Sequence, residues 1–259
     1  MKNKVFGLWL ISFLVLSGCG QPLMDYDIDT STPIVESFLL EGSNNLTVKV
    51  YSMEEYLKDG IKMSKPIPQL KVFVNQIELT ETSPGTYFLD LGTDTIRANQ
   101  QYSLQFDYNG KTITATTTVL PAIHSVVADP TSLELPSNPF FMYFADTTLV
   151  NVTWDDPGNH FYQVYIESPN TPNLPGLGIY GRRMMQPFQG NTYKATIRDF
   201  RSAGVHTIHV YRISKDYAEL YERISASDLA NPVSYIHNAF GIFTSLSTEK
   251  ATVRVIEID

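Results

Sequence analysis

The 259-residue chain predicts a mainly β protein built as two β-sandwiches in series, with one short helix in the second. Three observations carry this expectation. Apolar and polar residues alternate one by one through most of the chain, the period of strands with one buried face. Fifteen Gly, 15 Pro, 15 Tyr and 14 Phe favour short strands and tight turns over helical packing. One window only, near 216–226, carries an apolar stripe at helical spacing. A hydrophobic content of 43% is enough to offset the entropy of ordering the chain, so a disordered polymer is excluded. The formal charge of −8 repels phosphate backbones and sets nucleic acid aside as a partner.

The first element is a signal sequence, residues 1–18. Lys2 and Lys4 precede an apolar run from Val5 to Leu16, and Leu16-Ser17-Gly18-Cys19 closes it with small residues. Twelve apolar residues make a helix of only ~18 Å, against a hydrocarbon layer of ~30 Å, so the run is not a transmembrane span. Leu-Ser-Gly-Cys resembles the lipobox of bacterial lipoproteins, which implies that Cys19 becomes the first mature residue and carries the lipid. Cys19 is also the one cysteine in the chain, so a disulfide within the chain, a CxxC metal knuckle and a cysteine nucleophile elsewhere are all excluded. Loss of Lys2 and Lys4 with the signal leaves a mature charge of about −10. Residues 19–32 then read as a flexible tether with Asp25, Asp27 and Asp29. No aspartate follows Cys19 directly, which by analogy with bacterial sorting favours the outer membrane; surface exposure stays open.

Residues 33–119 read as the first sandwich. Leu46, Val48 and Val50 alternate with Thr47, Lys49 and Tyr51, and Leu70, Val72 and Val74 with Lys71 and Phe73. Met53 to Pro68 is expected as a long loop with at most one helical turn. Tyr87, Leu89 and Leu91 follow the turn Ser83-Pro84-Gly85. Tyr102 to Tyr108 and Ile113 to Val119 face each other across Asn109-Gly110, a dipeptide that accepts the positive φ of a two-residue hairpin. Residues 120–148, with prolines at 121, 130, 136 and 139, read as a Pro-rich linker. Its stretch Asn138 to Phe144 holds Phe140 and Phe141, either a partner surface or an edge strand packed on the second domain.

Residues 149–259 read as the second sandwich. Val150, Val152 and Trp154 lead into the turn Asp155-Asp156-Pro157-Gly158, and further strands are expected around Tyr162–Ile166, Tyr193–Ile197, Ile208–Val210 and Val253–Val255. A Trp before a turn followed by a Tyr-bearing strand is similar to fibronectin type III domains, while the first sandwich reads as transthyretin- or immunoglobulin-like. In the helix, Tyr217, Leu220, Tyr221 and Ile224 form the stripe, Asp216 and Glu219 read as a capping box, and Pro232 lies beyond the end.

Catalytic patterns are sparse. A Gly-x-Ser-x-Gly elbow is absent. His206 and His209 are the one close histidine pair, but three residues apart on a strand they point to opposite faces and cannot share an ion. Asp155 and Asp156 sit in a turn, where aspartate serves local hydrogen bonding, so a carbohydrate-active enzyme lacks a defensible acid pair. Neither a metal nor a cofactor is expected. The stretch Leu174 to Met185, with three glycines, Tyr180, Arg182, Arg183, Met184 and Met185, is the best candidate for a contact loop; a solvated hairpin is the other reading. Asp94-Thr95-Ile96 and Asp146-Thr147-Thr148 resemble bacterial O-glycosylation acceptors.

Several segments together resemble one family. Ile34-Val35-Glu36-Ser37-Phe38-Leu39, Lys65-Pro66-Ile67-Pro68, Pro84-Gly85-Thr86-Tyr87, Gln101-Tyr102-Ser103-Leu104 and Asn109-Gly110-Lys111 are similar to the domain of unknown function 4249 lipoproteins of Bacteroidota. So are the Tyr-bearing helix, Asn231-Pro232 and Ile236 to Phe243, the last in shortened form. The resemblance implies a non-catalytic envelope lipoprotein encoded beside a TonB-dependent outer-membrane transporter, and hence an accessory binding role at that transporter. A fimbrillin-like adhesin or structural subunit is the alternative. Those subunits are cleaved after an early arginine, and the first arginine here is Arg97, deep in the first sandwich.

Overall fold

The computed structural model describes residues 32–53, 64–136, 147–156, 160–169, 186–200, 202–225 and 234–258. In the first half, the strands are β1 (Pro33–Leu40), β2 (Asn45–Met53), β3 (Ser64–Pro66), β4 (Phe73–Val74), β5 (Ile77–Glu78), β6 (Thr80–Ser83), β7 (Thr86–Asp90), β8 (Gln101–Tyr108) and β9 (Lys111–Thr118). The second half adds β10 (His124–Asp129), β11 (Ser132–Pro136), β12 (Thr148–Asp155), β13 (Phe161–Glu167), β14 (Phe188–Gln189), β15 (Thr192–Thr196), β16 (Gly204–Ile213), α1 (Lys215–Ser225) and β17 (Phe240–Ile258). The protein is mainly β, as the alternation predicts, and its strands stack as two sandwiches.

Each sandwich forms because one face of every strand is apolar. In the first, Val35 and Leu39 of β1, Val48 and Val50 of β2 and Tyr87 of β7 meet Leu104 and Phe106 of β8 and Ile113 of β9. The opposing sheet has the order β5-β4-β8-β9. Its closing hairpin places Asn109 and Gly110 at φ 48° and 73°, with Tyr108 opposite Lys111. In the second sandwich, Tyr162 and Val164 of β13, Ile208 and Val210 of β16 and Val253 and Val255 of β17 meet Val150, Val152 and Trp154 of β12. The facing sheet has the order β10-β12-β15.

The two sandwiches share one large sheet, ordered β14-β13-β16-β17-β1-β2-β7-β6 among the described residues. Strand β17 makes this possible. Its first part pairs parallel with β1, Ile34 opposite Phe240 through Leu40 opposite Leu246, and contributes Phe243 to the first core. Its later part pairs antiparallel with β16 and parallel with β11, and contributes Val253 and Val255 to the second core. Contact with β1 requires a glycine at 241. Its φ is 97°, and a Cβ there would stand 2.0 Å from the Val35 carbonyl oxygen.

Three local expectations are revised. The segment 120–148, read as a Pro-rich linker, contains β10 and β11, and Pro130 and Pro136 stand at the ends of those strands. Within Met53–Pro68, residues 64–66 form β3 against β2. The helix begins at Lys215, so its cap is Ser214, whose Oγ accepts the Tyr217 N–H at 3.1 Å, and not Asp216. Glu219 instead accepts the Tyr235 hydroxyl at 2.6 Å.

Candidate functional site

Where the chain crosses from β9 to β10, polar side chains sew it to β16 and β17. Ser245 Oγ donates to the Thr118 carbonyl at 3.0 Å and accepts the Leu120 N–H at 3.1 Å, and Ser247 Oγ donates to the Pro121 carbonyl at 2.8 Å. Arg212 stands at the centre. It continues the inward series Ile208, Val210 along β16, so its guanidinium enters the core edge, where it is only 2% exposed. Nη1 donates to the carbonyls of Pro121 and Ala122 at 2.9 and 3.2 Å, and Nε and Nη2 donate to the Tyr162 hydroxyl at 3.2 and 3.1 Å. That hydroxyl also meets the Asp156 carboxylate. Asp156 in turn holds His160, Oδ1 to Nδ1 at 2.7 Å.

This chain of groups runs from a buried cation to a partly exposed imidazole. Burial raises the Tyr162 phenol, the Arg212 hydrogen bond and charge pull it back down, and Asp156 adds a smaller upward push. A guanidinium has five N–H donors, and nearly all are spent on the crossover and on Tyr162. The arrangement is therefore a brace that fixes the β9–β10 crossover to the second sandwich, and it leaves no donor fork for a ligand.

The large sheet also defines two poles. Pro33, the first residue of β1, lies beside the start of β17, since Ile34 pairs with Phe240. At about 3.3 Å per residue, the 19-residue β17 covers roughly 60 Å of strand from there to Ile258. At that far end stand Pro136, opposite Ile258; Gly204, opposite Val255; and Glu167, opposite Thr207. Val205, Ile256 and Ile258 are exposed there at 47%, 41% and 42%.

Cys19, Phe140, Phe141, Tyr180, Arg182, Arg183, Met184 and Met185 lie outside the described residues. The described residues that flank the two candidate contact segments are Pro136 and Thr147, and Pro169 and Gln186. His206 and His209 take different faces of β16. His206 Nε2 is 2.7 Å from the Ser202 carbonyl oxygen, and His209 Nε2 is 3.1 Å from Glu167 Oε2. Asp155 ends β12 exposed, while Asp156 joins the brace. Asp94 and Thr95 are exposed, with Asp94 paired to Arg97 at 2.5 Å; Asp146 lies outside the described residues. Among the described residues no group of three or more His, Cys, Asp or Glu could hold a metal ion, and no helix is long and apolar enough to cross a membrane.

Arg212, Tyr162 and His160 carry no motif. The available signal is parity, an arginine in the inward register of an otherwise apolar strand.

No family model and no curated protein matches the chain. Among solved structures it is similar to the central fibronectin-III array of RIM-binding protein, at 9% identity and a TM-score of 0.25, covering 89% of this chain and 71% of that one. It is also similar to domains 4 and 5 of the S-layer protein SbsC, at 11% identity and a TM-score of 0.23, covering 87% and 96%. Superposition at such scores fixes neither topology nor role.

Proposed function

We propose that this protein is a lipid-anchored, non-catalytic binding protein of the bacterial outer membrane, acting as an accessory component at a TonB-dependent transporter. The observation that carries the reading is the separation of the two poles by β17. Cys19 lies 14 residues before Pro33, so a lipid on its sulfur tethers the pole where β1 begins. The described chain before one candidate contact segment ends at Pro136, at the opposite pole, while the described chain after the other resumes at Gln186 and leads into Phe188, opposite Tyr162. A body held at one end by acyl chains, with a candidate contact segment beginning beyond Pro136 at the other, suits capture at a membrane partner. The resemblance to the domain of unknown function 4249 lipoproteins supplies the transporter as the partner.

Labelled palmitate fed to cells tests the anchor: label in the wild type and none in Cys19→Ser is the expected pair of results. Purification of the acylated protein from detergent-solubilised outer membrane, followed by mass spectrometry, tests the partner. Co-purification of a TonB-dependent transporter, lost when Arg182 and Arg183 are replaced by Ser, supports the role. An unlabelled polypeptide, or one purified without any transporter, overturns it.

A further inference from the structure

Three of the exposed large aliphatic side chains, Val205, Ile256 and Ile258, share one face of the large sheet at the pole away from Pro33. The other face of β17 carries Val253 and Val255 into the second core, so parity turns Arg254, Ile256 and Ile258 outward. Strand pairing sets their neighbours. Val205 of β16 stands opposite Arg254, and Glu134 and Pro136 of β11 stand opposite Ile256 and Ile258. Glu134 and Arg254 are both exposed, and among the described residues neither makes an ion pair. An apolar group of this kind, with a cation and an anion at its margin, marks a contact surface.

The layout of the two charges identifies the occupant. From Ile256, Arg254 lies two residues back along β17, about 6.6 Å, and Glu134 lies one strand across, about 4.8 Å. These directions are nearly perpendicular, and the distances are within reach of long side chains. A two-fold axis in the plane of the face, passing through Ile256 and bisecting them, carries each charge onto its opposite. Arg254 then meets Glu134 of a second copy, and Glu134 meets the second Arg254. Ile256 meets its own counterpart, and Val205 comes over Pro136. The strands of the two sheets cross near a right angle, one of the two usual packings of sheet on sheet. Antiparallel pairing of two β11 edges in full register would instead set Glu134 against Glu134, a repulsion.

We propose that this face is an isologous dimer interface between two copies of this chain, closed by two reciprocal Arg254–Glu134 ion pairs around Ile256. The inference goes beyond the binding role proposed above and does not depend on the anchor. With so few aliphatic side chains from each copy, the contact belongs to the small, transient class.

The test is light scattering of the full acylated protein in detergent across a concentration series, with the micelle mass subtracted. Reversible dimer formation is expected for the wild type, with no larger species, because an isologous contact closes at two. Glu134→Arg places a second cation against Arg254, and Arg254→Glu a second anion against Glu134, so each variant alone loses about ten-fold or more in dimer affinity. A mixture of the two restores both ion pairs, and dimers of near wild-type affinity return. Ile256→Ser, which leaves both charges in place, weakens the dimer by several-fold. All three positions are exposed, so the substitutions leave the fold intact. A wild type that stays monomeric throughout leaves the face to another occupant and overturns the proposal. So do single variants that dimerise like the wild type, a mixture that stays monomeric, or assembly beyond two copies. If that happens while palmitate labelling persists, the dimer fails and the anchored reading stands.

Discussion

The first sandwich fills its interior with aliphatic and aromatic side chains and admits little polarity, chiefly the hydroxyls of Ser37 and Tyr87. The second buries Gln163, His206, His209 and Arg212, each 7% exposed or less. Apolar packing is non-directional, so it suffices where many strands already fix one geometry. At the crossover the chain passes between sandwiches with little ladder pairing, and there a directional, hydrogen-bonded cation selects a single seating. The contrast between a packed scaffold and a braced joint makes ordered predictions.

The largest effect is expected at the joint. Arg212→Ala leaves the Tyr162 hydroxyl and the Ala122 carbonyl without their Arg212 donor and the Pro121 carbonyl with Ser247 alone, and costs about 3–5 kcal/mol in urea unfolding. Arg212→Met, which restores volume but no donors, separates packing from bracing. Wild-type stability in both variants would erase the contrast. Next is Gly241→Ala, where a Cβ meets the Val35 backbone at positive φ, at a cost of about 3 kcal/mol. Because β17 belongs to both sandwiches, the two should weaken together in one transition, and separate transitions by tryptophan fluorescence and circular dichroism would count against a shared strand.

A smaller loss is expected inside the first core. Tyr87 accepts the Leu70 N–H at 3.0 Å and donates to the Ile67 carbonyl at 2.7 Å, so Tyr87→Phe costs about 1–2 kcal/mol by thermal melting. An unchanged melting temperature would mean that those backbone groups find other partners. The smallest effect is a pH slope. Glu36 has its folded value raised above 4.5 by burial, so the folded state holds its proton more tightly than the unfolded chain does. Stability from this group is present at low pH and is lost as pH rises from 4.5 through the folded value. Asp216 acts in the same sense through burial and Glu219. Glu36→Gln should flatten the slope between mild acid and neutrality, and an unaltered slope would place the titration elsewhere.

Local structure was largely legible in the sequence. Alternation located the long strands, Asn109-Gly110 marked its hairpin, and the i, i+3, i+4 stripe found α1 within one residue at each end. What alternation does not encode is which strands become neighbours. Nothing in Ile34–Leu40 or Phe240–Leu246 announces that they pair, because parallel ladders between distant segments leave no turn signature. Proline misled for a related reason: Pro130 and Pro136 look like linker residues, yet they stand where β10 and β11 need no further ladder bonds. The brace was half visible. Asp156 was recognised as a turn residue, but its partners lie far along the chain and are joined only by the fold.

The pairing of β1 with β17 also dictates an order of events during biogenesis. Some 200 residues separate the two strands, so the amino-terminal half gains its last neighbour only after those intervening residues have been synthesised. Until then β1 presents a bare edge, and a holdase that shields it would govern yield more than the intrinsic speed of either half.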